Sequence, residues 1–256
     1  MGHRVLSWVA TLFFLPVFAI ILLVFDVAQR VANLFGQRAQ EHVAGVLQWT
    51  LLQAFRICGV TFTVERAPEV ERWTSYIIIS NHQSMFDIVL LGSVLYSNFP
   101  KYVSKDSLAR RIPSISYNLR NGGHVLIDRG DPESAEAGIR ELGRRVRTDR
   151  CSGLIFPEGT RARTGDLKPF KPRGTLALLE EAPQTPVVTV AIDESWRVMR
   201  HNYFPVPFGV HVRIRIAAPI ARTAGEDRRA LIDLVHADIA ATLERWRDGS
   251  GHARAA

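Results

Sequence analysis

The sequence is poor in lysine and cysteine. Its lysines are Lys101, Lys105, Lys168 and Lys171, set against a combined lysine and arginine count of 32 in 256 residues. Arginine therefore supplies nearly all the positive charge, a bias that points to a GC-rich bacterial genome. The two cysteines, Cys58 and Cys151, form neither a disulfide framework nor a metal-binding set. Cys151 enters an apolar run and is expected in the core. No G-x-S-x-G nucleophile elbow occurs, so a serine-hydrolase reading loses its usual carrier. Internal repeats and low-complexity tracts are also absent. Apolar residues at 47% and charged residues at 22% exclude a globally disordered chain. The net charge of +7 suits acidic partners: nucleic acid, anionic lipid, phosphorylated substrates or an acidic carrier. There is no zinc-ligand spacing, no aromatic-rich RNA-binding pattern and no basic recognition helix. No nucleic-acid partner and no metal are expected.

What the sequence does have is a long uncharged run, Val5 to Phe25. A bilayer core needs roughly 20 apolar residues as helix. The run is too long for a signal-peptide core and lacks a small-residue cleavage site. Pro16 lies inside it and is expected to kink the helix. Two readings stay open: a spanning helix, or a bent segment dipping into one leaflet. A second segment, Val43 to Val60, is apolar but carries Gln48, Gln53 and Arg56. It reads equally as an interfacial amphipathic helix or as an ordinary helix on the globular domain. Residues 1–60 are thus expected to form a membrane-associated helical region, 61–248 an α/β domain and 249–256 a flexible tail.

Beyond Gly59 short apolar runs alternate with polar helical stretches. Strands are expected at 61–65, 76–80, 102–104, 124–128, 153–156, 187–192 and 210–216. Several are continuous β-branched runs, as in strands buried on both faces. The last alternates with Arg213 and Arg215, so it should lie near an edge with one face exposed. Helices are expected at 84–96, 105–118, 132–147 and 174–181, with a final amphipathic helix from Asp227 to Trp246. Asp131 is placed to cap the third, with Pro132 at its first position. Strand–helix alternation predicts an α/β fold with a largely parallel sheet of about seven strands flanked by helices.

The candidate chemistry lies at strand ends. "IIISNHQSMFD" runs a buried strand into His82, with Asp87 five residues on. On a helix that spacing puts two side chains about 140° apart. The two can meet only if His82 precedes the helix and Asp87 lies in its first turn. A carboxylate on one ring nitrogen then fixes the tautomer and leaves the other nitrogen as a base. Asn81 or Ser84 is placed to cap the helix. Alone, this pattern is more simply a capped turn. "LIFPEGTR" ends another strand in Glu158, Gly159, Thr160 and Arg161, with the glycine free to take positive φ. Arg161 can bind a phosphate bidentately, or pair with Glu158 on the surface. "HVLIDRG" ends a third strand in Asp128 and Arg129, and Lys168 and Lys171 follow the second block. In a parallel sheet these ends share one rim, where open α/β sheets bind ligands.

In this order and spacing, Asn81-His82-Gln83-Ser84-Met85-Phe86-Asp87, Ile127-Asp128-Arg129 and Phe156-Pro157-Glu158-Gly159-Thr160-Arg161 resemble the first three blocks of the glycerolipid acyltransferase family. The best-known members of that family are 1-acylglycerol-3-phosphate acyltransferases. Lys105, Leu108 and Pro113, and Phe170-Lys171 with Gly174, are similar to its flanking segments. The resemblance covers roughly residues 60–220. It implies a membrane-associated O-acyltransferase that acylates lysophosphatidate to phosphatidate, without a bound cofactor. The acyl donor would be acyl-CoA or acyl-acyl carrier protein. His82 would be the general base, oriented by Asp87. Arg129, Glu158, Gly159, Thr160, Arg161, Lys105 and Lys171 would form the substrate site, with Arg129 and Arg161 on the phosphate. Backbone N–H groups near the first helix start are the expected oxyanion donors. A bacterial enzyme of this type would work on the cytoplasmic side of the inner membrane. The alternatives are an acyltransferase for another lysophospholipid or a lyso-ornithine lipid, or a thioesterase or lipid hydrolase in which His82 activates water.

Overall fold

The computed structural model describes residues 2–127, 131–223 and 225–248. Among the described residues there are seven strands: β1 Thr61–Arg66, β2 Ile77–Ser80, β3 Pro100–Lys105, β4 Val125–Ile127, β5 Ser152–Ile155, β6 Val187–Asp193 and β7 His211–Ile216. They form one sheet in the order β1-β7-β6-β2-β5-β3-β4. Every neighbouring pair is parallel except β6 and β7. The helices are α1 Gly2–Asn33, α2 Gln37–Ala54, α3 Phe86–Val94, α4 Ile115–Asn121, α5 Pro132–Thr148, α6 Pro172–Glu181, α7 Ser195–Val198 and α8 Arg228–Asp248.

β2 shows how the sequence sets the layers. Ile77, Ile78 and Ile79 are all fully buried. Because successive side chains alternate between faces, Ile77 and Ile79 pack with Leu142, Leu178 and Ile232 of α5, α6 and α8. Ile78 packs on the other face, with Phe14 of α1, Leu52 of α2 and Phe86 of α3. A continuous apolar run is what a central strand between two helical layers requires. The first two helices contribute to the same core cluster as the sheet.

Several expectations are corrected. The helix read over 105–118 is broken into a 3-10 turn, Asp106–Ala109, and then α4. Pro113 disfavours helix at the residue before it, and Arg111 and Ser114 take positive φ of 66° and 61°. β7 lies next to the edge, but its arginine face is not open to solvent. α8 covers it: Arg213 donates to the Trp246 carbonyl at 2.8 Å, and Arg215 binds the Asp238 carboxylate. The segment beginning at Val43 belongs to α2, whose inner face buries Leu47, Leu51 and Leu52 while Val46 and Trp49 stay exposed. Asp131 caps α5, accepting from the Glu133 N–H at 2.9 Å.

α1 runs unbroken through Pro16 and is long and apolar enough to cross a membrane. Most of that face is uncovered: Leu12 and Phe13 are 69% and 65% exposed. Its other side is hydrogen-bonded to the domain along its length. Ser7 and Thr11 accept from the N–H groups of Phe208 and Val206, at 3.0 and 2.9 Å. Further along, Asp26 accepts from the Ser114 N–H, the Ser114 hydroxyl donates to the Leu22 carbonyl, and the Gln29 amide reaches the Ser114 carbonyl.

Candidate active site

The site is built where β2, β5 and β6 end together. β2 stops at Ser80, and Asn81 replaces the next rung of the ladder with its side chain. Its amide donates to the Ile192 carbonyl and accepts from the Ile192 N–H, both at 2.8 Å. The main chain is thereby free to leave the sheet at His82. Both backbone groups of His82 then bind the loop after β5. Its N–H donates to Glu158 Oε1 at 2.7 Å, and its carbonyl accepts from the Ala162 N–H at 2.7 Å.

The His82 ring points at Asp87 on the first turn of α3, with Nδ1 2.8 Å from Oδ2. The same Oδ2 accepts the N–H groups of Gln83 and Ser84, at 2.7 and 2.9 Å. Oδ1 accepts hydroxyls from Ser195 and, at 3.3 Å, from Ser84. Asp87 is fully buried, and its oxygens accept from backbone N–H groups and hydroxyls. As an acceptor, Oδ2 requires hydrogen on Nδ1, so Nε2 carries the lone pair. Nε2 makes no hydrogen bond among the described residues. The side chain is 16% exposed, so this nitrogen is reachable from outside. Phe156 stacks on the ring, centroids 4.1 Å apart at 18°, and fixes its plane.

The loop after β5 turns at Gly159, whose φ is +69°. Glu158 does not form the surface pair with Arg161 that the sequence allowed. It is buried, and its two oxygens accept the N–H groups of His82 and Lys168. Burial pushes its carboxyl above the ordinary value, against the pull of those two N–H bonds and of the Lys168 charge. Glu158 is therefore a clamp between loops. Thr160 is exposed; its hydroxyl and the Arg161 carbonyl bind the Lys168 ammonium at 3.2 and 2.9 Å. The half-buried Arg161 makes no side-chain hydrogen bond or ion pair among the described residues. Lys171 is exposed, its N–H bound to the Pro157 carbonyl and its side chain running beside Gly159. Lys105 is exposed at the end of β3, beyond β5 from the histidine. Asp128 and Arg129 lie outside the described residues. Of the N–H groups at the start of α3, those of Gln83 and Ser84 bind Asp87 and that of Phe86 binds the Ser84 hydroxyl at 3.2 Å.

Sequence reasoning missed Ser195 and Phe156. Ser195 has no local signal, since it reaches the site from 108 residues away in sequence. Phe156 stood inside the quoted block but read only as the strand's last apolar residue. At the opposite end of the strands, a cavity of about 250 Å³ is lined by Arg38, Glu41, Lys101 and Cys151. Its charges are internally paired, Lys101 and Arg38 both meeting Glu41 at 2.9 Å. Burial pushes the Cys151 thiol up to about 11, so it is no nucleophile at neutral pH.

Taken together, the fold and the rim define an α/β protein with a histidine–carboxylate pair where its strands end. The chain belongs to the Acyltransferase family, whose profile matches residues 61–193. A 1-acyl-sn-glycerol-3-phosphate acyltransferase of Cocos nucifera is 31% identical over 213 residues, covering 81% of this chain and 62% of that protein. The chain thus spans less than two thirds of that relative's length. The beta form from Homo sapiens is 27% identical over 210 residues, covering 81% of this chain and 73% of its own. Among solved structures, the 1-acyl-sn-glycerophosphate (LPA) acyltransferase PlsC from Thermotoga maritima shares the fold. It has a TM-score of 0.78 at 18% identity, over 96% of this chain and 98% of the other.

Proposed function

We propose that the protein transfers an acyl group from an acyl thioester to the free hydroxyl of lysophosphatidate, giving phosphatidate. The observation that carries this reading is the Nε2 of His82, left unbonded and reachable while Asp87 holds Nδ1. In the reaction, the acceptor oxygen attacks the thioester carbonyl carbon as Nε2 takes the hydroxyl proton. The tetrahedral intermediate collapses with cleavage of the C–S bond. The proton on Nε2 passes to the leaving thiolate. No acyl-enzyme forms and no cofactor is used; the donor, acyl-CoA or acyl-acyl carrier protein, is a substrate. Arg161 receives the acceptor phosphate, with Thr160, Lys171 and Lys105 along the same rim, and Arg129 shares that role. Glu158 and Gly159 shape the loop that presents them.

The membrane supplies the acceptor and takes the product. α1 is hydrogen-bonded to the domain from Ser7 to Gln29, roughly 33 Å of helix axis. The hydrocarbon core is about 30 Å thick. A full crossing would drag the domain's polar loops through it, so the helix lies along one leaflet with its apolar face down. In a bacterium the site would work at the cytoplasmic face of the inner membrane.

The test is an assay of purified protein in detergent with acyl-CoA or acyl-acyl carrier protein and a panel of lysolipids. Acylated lysophosphatidate is expected from the wild type and none from His82→Ala. Release of free fatty acid without acylated lipid would show a thioesterase instead.

A further inference from the structure

We infer that Ser195 is a positioning residue for the His82–Asp87 pair, acting through the carboxylate oxygen that the imidazole does not use. This rests on the base role proposed for His82. The two oxygens of Asp87 are held in different ways. Oδ2 takes three N–H groups, from His82, Gln83 and Ser84. Oδ1 takes no N–H among the described residues. It relies on two hydroxyls, and that of Ser84 is 3.3 Å away while also accepting the Phe86 N–H. Ser195 is the close partner. Without it, one end of a fully buried carboxylate loses its main donor. The carboxylate can then rotate, and the imidazole must compete with two backbone N–H groups for the oxygen that remains.

The direction of the Ser195 bond follows from its neighbours. Besides Asp87 Oδ1, its hydroxyl meets the Gln83 side chain at Oε1, 3.3 Å away. Gln83 is turned this way because its Nε2 faces two acceptors, the Gly165 carbonyl and Asp193 Oδ1, at 3.4 and 3.5 Å. Ser195 thus meets two acceptors with one proton, and the nearer, charged one takes it. Its own position is fixed from behind. β6 ends in the fully buried Asp193, which Arg247 of α8 binds at 3.1 Å and Arg213 of β7 faces at 3.6 Å. Glu194 then takes a positive φ of 68° and delivers Ser195 to the site. The serine is 108 residues from Asp87 in sequence, and its hydroxyl proton links the segment after β6 directly to the carboxylate.

The experiment is a double-mutant cycle on the full chain, with lysophosphatidate and acyl-CoA as substrates. Ser195→Ala removes one oxygen from a packed site. It is expected to lower kcat about tenfold, with the acceptor KM unchanged within about twofold. In an Asp87→Asn background the same substitution should cost less than about twofold, because its only route is through the carboxylate. A serine that merely supports the fold would cost the same in both backgrounds. Equal losses, or no loss in the wild-type background, would overturn the role of Ser195 and leave the histidine reading standing. A fully active His82→Ala would instead overturn the reading on which this one rests.

Discussion

The Nδ1 of His82 and the Oδ2 of Asp87 lie 2.8 Å apart, joined across the boundary between a strand's end and a helix's first turn. Five residues of helix would have faced them apart; the loop 81–85 brings them together. His82→Ala should therefore lower kcat by about 10²–10⁴-fold. Asp87→Asn can offer its amide to Nδ1 and select the wrong tautomer, so it should fall in the same range. Steady-state kinetics with both substrates varied checks this. Full activity in either variant would remove the pair from the mechanism.

Glu158→Gln tests the clamp. Each Glu158 oxygen accepts a backbone N–H, and a glutamine must turn its NH₂ toward one of those donors. A loss of about 1–3 kcal/mol in stability is expected, with a lower kcat as the His82 loop loosens. The pH dependence has a definite sign. Burial raises the carboxyl above 4.5, so the folded chain keeps this proton to higher pH than the unfolded chain. Its contribution favours folding below that value and is lost as pH rises through the folded value. Denaturant titrations from pH 4 to 7 should show the gap between wild type and Glu158→Gln narrowing as pH rises.

How far the sequence could be read depends on the range of the forces involved. The seven strands were legible because each is a short β-branched or alternating run, a local property. The meeting of His82 and Asp87 was legible too, since five residues leave few geometries. Sheet order was not: nothing near β1 says that β7 lies beside it and separates it from β6. Nothing local ruled out the surface pair that the sequence allowed for Glu158 and Arg161, because a charged residue in a Gly turn is often exposed. The burial of Glu158 depends on N–H groups brought by the loops at 82 and 168. The break before α4 was foreshadowed by Pro113, but the helical pattern of its neighbours outweighed it.

Lys101→Met probes the joint between α2 and β3. Lys101 is buried against Glu41 at 2.9 Å. Burial lowers its ammonium's proton affinity, while Glu41 supports it. Removing it leaves Glu41 with Arg38 on the other oxygen, so the loss should fall near the lower end for a broken buried pair, about 3 kcal/mol. Glu41→Gln with Lys101→Met should recover part of it. Chemical denaturation of the single and double variants measures both.

Arg161→Ala should act on binding of the acceptor. The guanidinium stands on the loop that carries Gly159 and is free for a phosphate. A charge-assisted bidentate contact is worth about 1.5–3 kcal/mol, so the apparent KM for lysophosphatidate should rise about 10- to 100-fold. The KM for acyl-CoA should move far less. Equal rises for donor and acceptor would place Arg161 elsewhere in the chemistry.

The apolar face of α1 makes the last prediction. Leu12 and Phe13 are the most exposed of its large side chains before Leu34. They point away from the Thr11 and Phe14 positions that dock on the domain. In water each leaves apolar surface uncovered; in a leaflet each gains about 1.5–3 kcal/mol. Leu12→Asp with Phe13→Asp should therefore lower vesicle partitioning by on the order of 10²–10⁴-fold. The fold should survive, because the buried side of the helix is untouched. Flotation with phospholipid vesicles reads the first effect. Activity on a detergent-dispersed acceptor reads the second, and it should remain within a few-fold of wild type. Flotation that persists would show that another surface holds the protein on the membrane. Loss of activity on the dispersed acceptor would show that the exposed face supports the site directly.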